Sequence, residues 1–109
     1  MPTNYKVLGQ SNPAATTATT LYTVPSATQA IVSTIVVANL AASSTVFRIA
    51  IRVNGATLAN SQYVAYDVTV GASDSTSLTL GITLGAADVI TVYAATANVT
   101  FTAFGSEIS

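Results

Sequence analysis

The sequence predicts an all-β fold: a single antiparallel β-sandwich, of jelly-roll or immunoglobulin-like type, with a short extended N-terminal arm. Three observations carry this expectation. Thr, Ser, Val and Ile supply 18, 11, 13 and 7 of the 109 residues, a composition suited to pleated, half-buried strands. Apolar residues alternate with polar ones in several segments, and no segment repeats them at helical spacing against a charged face. Clusters of Gly, Asn, Asp, Ser and Pro interrupt the chain at intervals of about ten residues, the spacing of sandwiches and barrels.

Taken in order, Tyr5-Lys6-Val7-Leu8 is strand-competent but too short to fold alone, and Gln10 to Thr20 is rich in Ala, Thr, Asn and Pro. Residues 1–16 are therefore expected to form an arm and its polar tether, and residues 17–109 the sandwich domain. Leu21 to Val24 is a strand stopped by Pro25, and Ala30 to Ala38, apolar almost throughout, is expected at the centre of a sheet. Phe47, Ile49, Ile51 and Val53 alternate with Arg48, Ala50 and Arg52, which gives one core face and one wet face. Asn54-Gly55 suits a type I′ turn, so a hairpin into Ala56-Thr57-Leu58 is expected.

Val64, Tyr66, Val68 and Val70 then face the core, with Tyr63, Ala65, Asp67 and Thr69 outward, before a polar turn over Gly71 to Ser75. Leu78, Leu80, Ile82 and Leu84 share one face of a further strand. Gly85-Ala86-Ala87-Asp88 breaks it, and Val89 to Tyr93 and Val99 to Phe104 complete a set of seven or eight strands.

Composition also narrows the function. Half the residues are hydrophobic but only 6% are charged, and three Lys+Arg against four Asp+Glu leave a formal net charge of -1. An ordinary soluble domain carries about a quarter charged residues. Neither nucleic acid nor an anionic membrane finds an electrostatic footprint here. With no Cys and no His, disulfides, thiol nucleophiles, Cys/His metal cages and the usual neutral-pH base are unavailable, so neither an enzyme nor a cofactor is expected. The apolar stretch Ala27 to Ala42 is broken by Gln29, Ser33, Thr34 and Asn39, and it falls short of the ~20 residues of a spanning helix. Met1 to Lys6 lacks the basic start and apolar run of a secretory signal.

The remaining polar residues offer few sites. Asp74 and Asp88 fall in turns, where Asp bonds its own backbone, and they lack the spacing of a calcium loop. Asn98-Val99-Thr100 matches the glycosylation acceptor pattern without the secretory context that would use it. Arg48 and Arg52 share the wet face of one strand, with Asp67 as a cross-strand partner. Tyr63 and Tyr93 fall on outer faces. Together with Tyr5, Lys6, Val7 and Leu8 of the arm, these four side chains are the candidate interface, because Arg and Tyr are enriched where proteins meet. A surface of Thr, Ser, Ala and Tyr with so little charge suits packing against other copies.

Tyr5-Lys6-Val7-Leu8-Gly9-Gln10-Ser11, Leu21-Tyr22-Thr23-Val24-Pro25, Ala87-Asp88-Val89-Ile90-Thr91-Val92-Tyr93 and Phe104-Gly105-Ser106-Glu107-Ile108 resemble segments of small structural proteins of tailed bacteriophages, those of cyanobacterial and aquatic phages in particular. The resemblance runs over essentially the whole chain. It implies a β-sandwich on the virion, made in the host cytoplasm. The implied role is that of a capsid cement or decoration protein, homo-oligomeric and commonly trimeric, with the major capsid protein as its partner. The alternative is a tail- or fibre-associated module. No catalytic residues come with the resemblance.

Overall fold

The computed structural model describes residues 2–109. The described residues form nine strands: β1 (Thr3–Ser11), β2 (Thr19–Thr23), β3 (Gln29–Asn39), β4 (Thr45–Arg52), β5 (Tyr63–Val70), β6 (Ser75–Leu78), β7 (Ile82–Leu84), β8 (Val89–Ala94) and β9 (Val99–Ile108). They form two antiparallel sheets. One has the order β1-β9-β3-β6, with β7 also on β3, and the other has the order β2-β8-β4-β5.

This order has a simple origin. Thr3 pairs with Ile108, Thr19 with Val92, Ile35 with Leu78 and Thr45 with Val70. The chain is thus one long hairpin, rolled so that successive stretches of its two arms fall alternately in the two sheets. Such nested pairing is the connectivity of a jelly roll, and it selects that architecture over the immunoglobulin-like one. Asn54 and Gly55 both have positive φ (56° and 68°), so the Asn-Gly pair does turn the chain. It lies at the tip of the whole roll, however, and residues 56–58 form no strand. A ten-residue tip separates β4 from β5, and Arg52 braces it through its Nε to the Ala56 carbonyl (2.7 Å) and its guanidinium to the Gly55 carbonyl (3.0 Å).

The core lies between the sheets. Ile35, Val37, Phe47, Ile49, Ile90, Val92, Val99 and Phe101 are all fully buried, and Phe47 of one sheet meets Phe101 of the other edge-on, with 6.0 Å between ring centres. β3, read as a central strand, does lie inside its sheet, between β9 and the short pair β6 and β7.

Four further local readings need correction. The segment Tyr5 to Leu8, expected as a free arm, is extended but belongs to β1, which pairs with β9 of its own chain almost throughout its length. Met1 of that expected arm lies outside the described residues. The single strand expected over residues 78–84 is two, because Gly81 takes a left-handed φ of 64°; Leu80 is consequently exposed. Val53 has left the sheet for the tip and is exposed as well. Finally, Val64 and Tyr66 face solvent while Ala65 is buried. Asp67, at φ 52°, forms a bulge that inserts a residue against β4, and such a one-residue slip exchanges the faces of a strand. Val68 and Val70 beyond the bulge point inward as expected.

Candidate functional site: an arginine held between tyrosines

The outer face of the second sheet carries an organised cluster. On β4 and β8, Arg48 and Tyr93 are direct cross-strand partners, so their side chains leave the same face. On β5 the register slips between the pairs Phe47–Val68 and Ile49–Ala65. Both Tyr66 and Asp67 are thereby placed opposite the single residue Arg48. The guanidinium lies 4.2 Å from the centre of the Tyr66 ring and 4.4 Å from that of Tyr93. Its Nε donates to Asp67 Oδ1 at 2.7 Å, and a second nitrogen reaches Oδ2 at 3.4 Å. Tyr63 closes the group edge-on to Tyr66, 4.9 Å between centres.

Arginine suits this position because its planar cation stacks on aromatic faces while its edge serves a carboxylate. The hydrogen bond to Asp67 holds the guanidinium still more firmly in its charged form. The result is a polar and aromatic cluster in which two rings and a carboxylate share one cation. Of the residues expected on this face, Arg48, Tyr63 and Tyr93 come together. Arg52 does not, being turned to the tip. Tyr66 was assigned to the core by strict alternation, and the closely spaced Tyr63, Tyr66 and Asp67 around a small Ala65 were the available sign of a bulge.

The outer face of the first sheet is different. Tyr5 and Ile31 flank Ser106 across β9, and Val7 and Thr34 flank Phe104. Tyr5 is 85% exposed and Phe104 38%. Tyr5, Lys6, Ile31, Ser33, Phe104, Gly105 and Ser106 line an open groove of about 530 Å³. Gly105 is required there: a Cβ on it would stand 2.0 Å from the Ile31 carbonyl oxygen. Ile31 and Phe104 had no place in the expected interface.

Between the sheets, Lys6 Nζ lies 2.8 Å from Glu107 Oε1, and the Tyr22 hydroxyl donates to Glu107 Oε2. The Lys6 ammonium, followed by the Tyr22 hydroxyl, holds the Glu107 carboxyl below the usual range. Burial pushes the Tyr22 phenol far up, and Glu107 adds to the push. This triad clamps β1 and β9 of one sheet to β2 of the other. Each of the three Lys and Arg side chains is therefore engaged within the chain: Lys6 by Glu107, Arg48 by Asp67, Arg52 by backbone carbonyls. The turn carboxylates are occupied too. Asp88 accepts from the amides of Asn54 and Gly85, and Asp74 from that of Ser75. No protein-family model and no curated protein sequence matches this chain.

Proposed function

We propose that this chain is a non-enzymatic structural subunit of a tailed-phage particle, which self-associates and docks on the capsid surface as a cement or decoration protein. The observation that carries the reading is the Arg48, Tyr66 and Tyr93 stack, a cluster built into an outer face of a domain otherwise poor in charge. Preorganised Tyr and Arg are the side chains that anchor protein interfaces, since little entropy is lost when they are covered. The engagement of all three cations inside the chain supports a protein surface rather than a phosphate backbone as the partner. The jelly roll is consistent with the reading, being frequent in capsid and lectin domains, although a fold alone assigns no function. The sequence resemblance to phage structural proteins supports the particle as the location and a trimer as the assembly, and the sparsely charged surface supports self-association.

The test is a mass-spectrometric copy count on separated heads and tails, followed by rebinding of purified protein to stripped heads. The expected result is a copy number on heads comparable with that of the major capsid protein, and loss of rebinding in Arg48→Ala and Tyr66→Ala variants. Confinement to tails would assign the chain to a tail- or fibre-associated module instead.

A further inference from the structure

We infer that β1 is an exchangeable strand, which in the oligomer leaves its own sheet and pairs with β9 of a second copy of this chain. The inference rests on the self-association proposed above and specifies how it occurs. It stands on three features of the first eighteen residues.

The first is burial. β1 has nine residues and not one of them is buried; only Leu8 packs partly against the core. Its release therefore uncovers no fully buried side chain of its own, and gives up the packing of Leu8 and the close approach of Gly9 to the Leu21 carbonyl. What holds β1 is the backbone ladder to β9, the Lys6–Glu107 pair, and Asn12, whose side-chain amide donates to the carbonyls of Ala97 (3.0 Å) and Val99 (2.7 Å). All of these acceptors are present on every other copy, so an exchanged strand recovers the contacts it gives up.

The second is strain in the connection. Thr16 lies in the turn between β1 and β2 with φ 53°, where a β-branched residue is badly placed. The turn is held by the Thr16 amide donating to the Ala94 carbonyl at 2.8 Å. Opening it lets Thr16 return to an ordinary conformation, and strained hinges of this kind favour exchange.

The third is reach. Residues 12–18 connect a strand of one sheet to a strand of the other, a step of roughly 10 Å between packed sheets. Fully extended, the same residues span roughly 23 Å. The slack is enough to carry β1 to an adjacent molecule.

Because the chain has no Cys, a Val7→Cys, Phe104→Cys double variant tests this directly. The two positions are opposite one another on β1 and β9, within the separation a disulfide spans, and both are solvent-exposed. After oxidation, the oligomeric fraction separated by size exclusion is expected to run on a non-reducing gel as covalently joined chains. In parallel, Thr16→Gly, which removes the strain, should lower the oligomer-to-monomer ratio roughly fivefold by light scattering. An oligomer whose chains are each linked only internally, or one unaffected by Thr16→Gly, overturns the exchange while leaving self-association intact. A protein monomeric at every concentration overturns both.

Discussion

The two outer faces of this sandwich were built by the same rule and ended up unlike. On the first sheet, cross-strand neighbours put Tyr5, Val7, Ile31 and Phe104 into solvent with no charge among them. On the second, a bulge in β5 gathers Tyr66 and Asp67 around Arg48. One face is apolar and passive, the other polar and preorganised. The difference teaches that pattern decides which residues reach the surface, whereas irregularity decides which of them meet. Regular pairing spreads side chains along a strand at fixed spacing. A bulge sets two side chains against one, and so makes a cluster that period-two spacing does not permit.

The largest expected effect removes the comparison by removing what both faces rest on. Phe101→Ala deletes half of the edge-on pair between the sheets and should cost about 3–5 kcal/mol, seen as a lower denaturation midpoint by circular dichroism. Gly9→Ala strikes the seam where β1 of the first sheet approaches β2 of the second. Its new Cβ would stand 2.2 Å from the Leu21 carbonyl oxygen on β2, and the forced backbone shift should cost about 1–3 kcal/mol. Tyr66 and Tyr93 stand with Arg48 on the outer face of β5, β4 and β8 and not at that seam, so their near-ultraviolet dichroism is expected to survive this substitution.

A third effect, smaller again, depends on pH. Glu107 titrates lower in the folded chain than unfolded, so its contribution is complete above the usual Glu range and is lost as pH falls through the lowered value. Tyr22 titrates higher when folded, so its contribution is complete below the usual value of about 10 and is lost as pH rises beyond it. Thermal unfolding should therefore weaken at both extremes, and Glu107→Gln should flatten the acid limb.

The smallest expected effect on stability comes from Arg48→Lys, which keeps the charge but loses the planar stack. The melting temperature should hardly move. The near-ultraviolet signal of the tyrosines should fall nonetheless, because their rings lose the group between them. A melting temperature lowered by many degrees would show that the second face is structural and not a site.

Much of this was legible in the residues. The alternation of Phe47, Ile49 and Ile51 about Arg48 places β4 correctly, and the run Ala30 to Ala38 announces an inner strand. Asn54-Gly55 marks the tip of the roll, although nothing local to it says that four nested pairings follow. What stayed hidden has a common physical cause. Bulges at Ser33, Leu8 and Asp67 depend on what lies across the sheet, and period-two reading assumes there are none. The same holds for β1: Tyr5-Lys6-Val7-Leu8 reads as strand, but its partner lies nearly a hundred residues away, at Phe104 to Ser106. The Glu107 triad joins three strands from both sheets, and so needed the full topology before it could be seen.

The nested pairing has a consequence for how the chain comes off the ribosome. The tip and its flanking strands β4 and β5 can close as soon as they emerge, because only a short loop separates them. β2 must wait for β8, and β1 for β9, so each earlier strand waits longer than the one after it. Of these nine strands, β1 is thus the first to emerge during synthesis and the last to be seated. Throughout that interval its unpaired edge lies open to any β9 already made nearby. Crowded polysomes, where neighbouring nascent chains lie side by side, are the setting in which a first strand would most often find another chain's last strand before its own.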